Sequence, residues 1–354
     1  MGRPPGGAVA AECCRANWVR VHRSKTMLLR MRRLTRWSSI IVLVALTSCG
    51  GGATPSASGS GSGVATTELT FTLVATHGPA DVEGMDVLGY IAIGPDGNLY
   101  VPNAGSSEMI VLDADLQVVR RWGEEGEGPG QFGFLRNEDP DSALGGVDVG
   151  DDGTIYVVEA GNKRVQRFSA DGESQLTWGS RGSGEGQFLD PIGVAVSPAG
   201  EVYVVDDERD DIQVFTADGE YLRTIGRKGT GDGELQFTGN IRFAPDGSLV
   251  NADFGNGRVQ AWGAGDAFLW SIGSQGTGHG EFNEPQDVAF GADGTLFVVD
   301  DSRVQAFDSE RQLIGTWPDE PLGEHLASIA LNGETLWVVA PYIDTLFEID
   351  VAGL

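Results

Sequence analysis

Glu159, Asp206, Asp253 and Asp300 stand 47 residues apart, and Arg164, Arg258 and Arg303 follow three of them. Acids repeated at one interval arrive on one rim of a repeating fold. There they could hold calcium or a cationic ligand, since hard cations take several carboxylate oxygens. They could equally accept hydrogen bonds from the turns around them and pair with the arginines that follow. Both roles stay open for these seven candidate ligand-binding residues. Histidine supplies a second chemistry, because three imidazoles around an ion with one open position make a catalytic zinc site. His77, His279 and His325 are the candidates, but they precede their nearest turn glycines by unequal offsets of 20, 15 and 8 residues. Only His325 is therefore expected near the centre of the fold, and calcium at the carboxylates ranks ahead of zinc at the histidines.

Gly126-x-Gly128-x-Gly130 and its counterparts at Gly182, Gly229 and Gly276 resemble phosphate cradles only in spelling. A dinucleotide fingerprint opens a helix, whereas these run into Gln131-Phe132, Gln187-Phe188, Glu234-Leu235 and Glu281-Phe282, with no helical period after them. They read as connections between repeats. No Gly-x-Ser-x-Gly elbow occurs, and the three cysteines, Cys13, Cys14 and Cys49, leave the rest of the chain without a thiol nucleophile. No catalytic residue is assigned.

The elements that must position these residues are short strands. Turn glycines at 97, 153, 200, 247, 294 and 333 are separated by 56, 47, 47, 47 and 39 residues. A second marker, Trp122-Gly123, Trp178-Gly179, Ile225-Gly226 and Ile272-Gly273, keeps the same register. Between markers lie runs of β-branched and aromatic residues bounded by Asp-Gly or Pro-x-Gly, which predict hairpins. The first two runs of a unit are almost wholly apolar, and the third and fourth carry Gln, Arg and Thr. That gradient suits strands covered on both faces near an axis and wetter strands further out. Four-stranded units at this period predict an all-β, six-bladed β-propeller of antiparallel blades. The last unit ends one strand short, and Leu69–Ala75 has the pattern of the missing strand, so the N-terminal strand is expected to close the ring. Trp122, Trp178 and Trp262 are expected to pack between blades.

The chain has 24 basic and 51 acidic residues, and nine of the basic ones precede residue 50 with a single acid, Glu12. The strongly acidic remainder excludes a general nucleic-acid binder, whose affinity rests on Lys and Arg neutralising phosphates. The basic segment leads into the apolar run Ile40 to Leu46 and then Thr47-Ser48-Cys49. A charged region, a short apolar region and small residues before a cut mark an export signal, and the run is too short to span a bilayer. Leu46-Thr47-Ser48-Cys49 resembles the bacterial lipobox, which implies that Cys49 is lipidated and becomes the new N-terminus. Residues 1–49 are thus an N-terminal extension plus signal, with Met27 or Met31 as alternative starts. Residues 50–68 form a Gly/Ser linker and 69–354 the propeller.

The blades resemble the NHL repeat. The residues that carry the likeness are Tyr156 to Glu159 with Arg164-Val165-Gln166-Arg167-Phe168, and Tyr203 to Asp206 with Ile212-Gln213-Val214-Phe215. Asp253 with Arg258-Val259-Gln260-Ala261-Trp262, and Phe297 to Asp300 with Arg303-Val304-Gln305-Ala306-Phe307, continue it. Blade one departs at Asn103 and Ile110, blade three has Asp211 in the arginine position, and blade six lacks the element. The resemblance implies a six-bladed propeller and a family that includes protein- and RNA-binding modules, extracytoplasmic sensors and a zinc-using peptide-amidating lyase. The expected function is a membrane-tethered extracytoplasmic module, monomeric and without cofactor, that binds a protein, peptide or glycan at its loop-rich face. The alternative is a metal-dependent enzyme, either a zinc lyase of that kind or a hydrolase or lactonase.

Overall fold

Gly97, Gly153, Gly200, Gly247 and Gly294 adopt φ of 77, 81, 81, 83 and 89°, a left-handed region that glycine enters without steric cost. Each turns the innermost hairpin of one blade in a computed structural model that describes residues 69–135, 145–318 and 325–353. Cys49 and the regions 1–49 and 50–68 lie outside the described residues. Among those described, no helix is long and apolar enough to cross a membrane.

The chain begins with β1 (Thr70–His77) and then builds blade one from β2 (Ala92–Ile93), β3 (Leu99–Asn103), β4 (Glu108–Leu112) and β5 (Val118–Trp122). Blade two is β6 (Val147–Val149), β7 (Ile155–Glu159), β8 (Arg164–Phe168) and β9 (Ser174–Trp178). Blade three is β10 (Pro191–Val196), β11 (Val202–Asp206), β12 (Asp211–Phe215) and β13 (Tyr221–Ile225). Blade four is β14 (Ile241–Phe243), β15 (Leu249–Asp253), β16 (Arg258–Trp262) and β17 (Phe268–Ile272). Blade five is β18 (Pro285–Phe290), β19 (Leu296–Asp300), β20 (Arg303–Phe307) and β21 (Leu313–Trp317). Blade six is β22 (Ser328–Asn332), β23 (Thr335–Ala340) and β24 (Thr345–Ala352), completed by β1. Phe71 pairs with Val351 and Leu73 with Ile349 across that seam, so the N-terminal strand closes the ring as expected and becomes the outer strand of blade six, covering the edge of β24.

The polarity gradient of the sequence is the burial gradient of each blade. All five residues are buried in β3, β7, β11, β15 and β19, whereas every residue of the outer β9 and β17 is exposed or only partly buried. Six apolar clusters among the described residues each lie between two neighbouring blades. Phe132, Phe188, Leu235 and Phe282, which end the glycine-rich connections, are fully buried in four of them. Burial of such a side chain is worth about 1.5–3 kcal/mol, so each connection is pinned where it crosses from one blade to the next. Trp122 lies edge-on to Phe168 at 5.7 Å and Trp178 packs on Phe215 at 6.0 Å. Trp262 is buried against residues of blade three.

Candidate functional site

The repeated carboxylates are buried at the ends of the second strands, where each clasps the connection entering its own blade. Asp253 accepts hydrogen bonds from Gln236 N, Asn256 Nδ2, Arg258 Nε and Gln260 Nε2. Arg258 then donates to the carbonyls of Gly231 and Glu234. Glu159 is held in the same way by Gly133 N, Asn162, Arg164 and Gln166. Asp300 takes Asn283 N, Glu284 N and Arg303 Nε. The neighbouring Gln166, Gln213, Gln260 and Gln305 receive the N–H of Gly130, Gly186, Gly233 and Gly280 at 2.8–2.9 Å. This occupies an N–H that a phosphate cradle would need. Glu159, Asp253 and Asp300 thus accept turn N–H groups and pair with Arg164, Arg258 and Arg303, while Asp206 accepts from Leu189 N, Asp190 N and Arg209 N. Burial raises the pKa of all four acids, and internal hydrogen bonds oppose it.

The histidines do not converge. His77 is the last residue of β1 rather than part of a connection, and its Nε2 lies 2.8 Å from Glu348 Oε2. His279 is exposed in the Gly276–Gly280 connection. His325 alone joins a cluster, with Glu284 and Asp301, and one ligand atom from each lies within 4.8 Å of the others. His325 Nδ1 is 3.4 Å from Asp301 Oδ1 and 4.0 Å from Glu284 Oε2. Glu284 directly precedes β18, Asp301 sits in the turn between β19 and β20, and His325 precedes β22. The three are knitted by backbone: Asp301 N donates to Glu284 O at 3.3 Å, and Leu326 N donates to Asp301 O. Beneath them the Asp300 clasp receives Glu284 N at 2.8 Å. The exposed ring of Tyr342 stacks on His325 at 5.3 Å and fixes the imidazole plane. Burial raises the Glu284 carboxyl; Asp301 and Asp300 act the same way, and His325 opposes them.

Donors bound ~2.0–2.2 Å from one ion stand ~3–4 Å from each other, so this set fits a divalent cation with little movement. One imidazole with two carboxylates suits zinc, manganese or iron better than the oxygen-only preference of calcium. The three protein donors leave coordination positions open toward solvent.

Below this mouth the innermost strands stack their residues in layers, visible once the blades are aligned on the turn glycine. Seven residues before it stand Tyr90, Gly146, Gly193, Asn240 and Asp287; five before it stand Ala92, Asp148, Ala195, Arg242 and Ala289. Arg242 reaches from blade four to the carbonyls of Ile91 in blade one and Val147 in blade two, and to Asp287 of blade five at 3.4 Å. Asp287 also accepts from Ser328 Oγ at 2.7 Å, Ile329 N at 3.2 Å and Asn240 Nδ2 at 2.9 Å. Ser328 Oγ in turn receives Ile91 N, and Tyr90 OH donates to Gln286. This belt staples blades one, two, four, five and six across the axis. Desolvation raises the Asp287 and Asp148 carboxyls, with Arg242 the leading opposing influence on each. None of these belt residues was singled out from sequence; the signal was a charged residue, Asp148 or Arg242, where other blades have alanine.

No family model matches the chain, and no curated protein matches it. Solved structures do. A catalytically inactive virginiamycin B lyase from Staphylococcus aureus with quinupristin is 13% identical over 76% of this chain and 83% of its own, with a TM-score of 0.55. A gluconolactonase from Xanthomonas campestris is 16% identical over 76% of this chain and 88% of its own, at 0.57. A putative gluconolactonase is 12% identical over 80% and 92%, at 0.56. At such identity the likeness establishes the six-bladed propeller fold.

Proposed function

We propose that this chain is an exported, lipid-anchored propeller of the NHL type that holds a divalent cation at Glu284, Asp301 and His325. Its loop-rich face binds a protein, peptide or glycan beside that ion. The observation that carries the reading is the convergence of three donors from two blades within 4.8 Å, knitted by their own backbone. Preorganisation of this kind lowers the cost of gathering ligands around an ion. Tyr342 holds the His325 ring from the solvent side and offers an aromatic surface to a ligand. Cys49, followed by the Gly/Ser linker, supplies the anchor and tether.

Elemental mass spectrometry of the full-length chain, purified without chelator or histidine tag, tests the site. Stoichiometric metal that is lost in Asp301→Ala and His325→Ala supports it; a metal-free wild type, or variants that keep the metal, refutes it. Cys49→Ala should move the protein out of the membrane fraction, and unchanged partitioning removes the anchor from the account.

The open coordination positions favour a second reading, a metal-dependent hydrolase, lactonase or lyase. A bound divalent ion supplies Lewis acidity to a carbonyl or ester oxygen. In that reading Glu284 and Asp301 set the charge at the site, and Tyr342 and the Asp300 clasp keep His325 and Glu284 in place. Turnover of gluconolactone that vanishes with the metal and with His325→Ala would select this reading; equal rates in wild type and variant would discard it.

A further inference from the structure

The channel opens at its other end as well. On the face of the innermost turns lies a cavity of about 400 Å³ lined by the last residues of β2, β6, β10, β14, β18 and β22, within the ~300–1,000 Å³ of small-molecule sites. It widens because small residues, Gly150, Ser197 and Ala244, stand three places before the turn glycine. Ile93, Val149, Val196, Phe243, Phe290 and Leu331 supply apolar wall. Arg242 closes it toward the loop-rich face, since its guanidinium is spent on Ile91 O, Val147 O and Asp287.

Asp148 stands beside Arg242 on this floor with a different electrostatic fate. Its hydrogen bonds come from backbone N–H groups, Val196 N at 2.8 Å and Val149 N. Among the described residues no cationic group lies within ion-pairing distance of it, although Arg242 is near enough to be felt. The charged residues of the lining are Asp148, Asp151 and Arg242, and Asp287 already neutralises the arginine. A carboxylate at the bottom of an apolar funnel, with no ion-pair partner of its own, is costly to keep charged. A ligand that brings the missing positive charge, with an apolar body for the walls, relieves that cost.

We propose that this funnel is a binding site for a small organic ammonium ion, its charged head on Asp148 and its apolar part between Phe243 and Phe290. Aromatic walls favour the same ligand class, because ring faces attract cations. The site is separate from Glu284, Asp301 and His325, and its test does not depend on metal.

Benzylammonium is the probe, titrated calorimetrically into the full-length chain, with benzyl alcohol and benzoate as controls of the same shape. We expect one-to-one saturable binding, with both controls weaker by at least about tenfold, the scale of one desolvated charge pair. Asp148→Asn should weaken benzylammonium by a similar factor. Ala244→Phe, which blocks the funnel and leaves Asp148 in place, should abolish binding, and Asp301→Ala should leave it unchanged. Absence of binding, benzoate binding as tightly as the amine, or retained affinity in Ala244→Phe overturns the proposal. The last variant keeps the question decidable if Asp148→Asn does not fold.

Discussion

Asp206 should make the protein more stable as the pH falls from 7.5 to 5. Blade three carries Asp211 where blades two, four and five carry arginine, and Arg209 hydrogen-bonds to Asp211 instead of clasping Asp206 with its side chain. Asp206 is fully buried, and that desolvation, helped by Asp211, pushes its carboxyl up to about 6 from 3.8. An acid whose pKa is higher in the folded than in the unfolded chain binds its proton preferentially when folded, so its contribution to stability grows on acidification. At pH 5 the folded group is about nine-tenths protonated and the unfolded group less than a tenth, a gain of about 1.4 kcal/mol over pH 7.5. Below both values the gain would approach about 3 kcal/mol. For a domain of this size the pH 5 figure corresponds to about 3 °C in Tm. Other buried carboxylates titrate in the same direction, so the test is a difference. Urea unfolding of wild type and Asp206→Asn at both pH values isolates the one group. The variant loses stability at both, because an amide nitrogen meets the N–H of Leu189 or Asp190, yet its gain on acidification should be smaller by about 1.4 kcal/mol. Equal gains in the two proteins would refute the reasoning.

Three further outcomes follow from the axis and the seam. Arg242→Ala leaves Asp287 buried without its cation and should cost about 3–5 kcal/mol, measured by chemical denaturation; a loss under ~1 kcal/mol would show that the belt is not a staple. Gly193→Ala places a Cβ 2.1 Å from Asn240 Oδ1 and 3.0 Å from Val205 Cγ1, an overpacking expected to cost about 1–3 kcal/mol; unaltered unfolding midpoints would mean that Asn240 moves aside freely. Deleting residues 69–77 uncovers the edge of β24, so size-exclusion chromatography should show self-association of the shortened chain, and a monodisperse monomer would count against ring closure as the edge's protection.

Architecture was legible because it is written several times. Each Pro-x-Gly or Asp-Gly turn predicts a hairpin, its period predicts a blade, and the deficit of one strand at the end predicts the β1 seam that Phe71 and Val351 make. The clasp was legible as a pattern but not as an energy, since Glu159 and Asp253 look identical on paper whether they face solvent or sit buried beneath a connection. The candidate metal cluster was half visible: His325 stood out by its short offset, and Asp300 by its repetition, but the donors beside His325 are Asp301 and Glu284. In the 47-residue register only blade three also has acids at these two positions, Asp190 and Asp207, so the pair gives no repeated signal, and both donors come from blade five, whose loops meet the connection into blade six only in the folded ring. The axial belt was hidden for another reason. Its residues belong to strands that read as uniformly apolar, and Arg242 and Asp148 look like surface lapses until the blades are aligned.

That contrast suggests where function resides in a molecule of this kind. A residue repeated from blade to blade meets the same neighbours each time, and here those neighbours consume its hydrogen bonds: Gln166, Gln213, Gln260 and Gln305, in blades two to five, all dock a connection glycine. A consensus position is thereby bound to the scaffold, and its lone pairs are unavailable to a ligand. Departures from the consensus have no such partner supplied by the repeat. Asp148 replaces an alanine and, among the described residues, makes no ion pair, whereas Arg242 replaces an alanine and spans the axis. Glu284, Asp301 and His325 occupy unequal loops and meet in one cluster, with Tyr342 stacked on the imidazole. Arg242 thus stands at the floor of the turn-side funnel, tied to blades one, two and five. The Arg242–Asp287 pair and Ser328, which joins Asp287 to blade six, tie the blades together at that level.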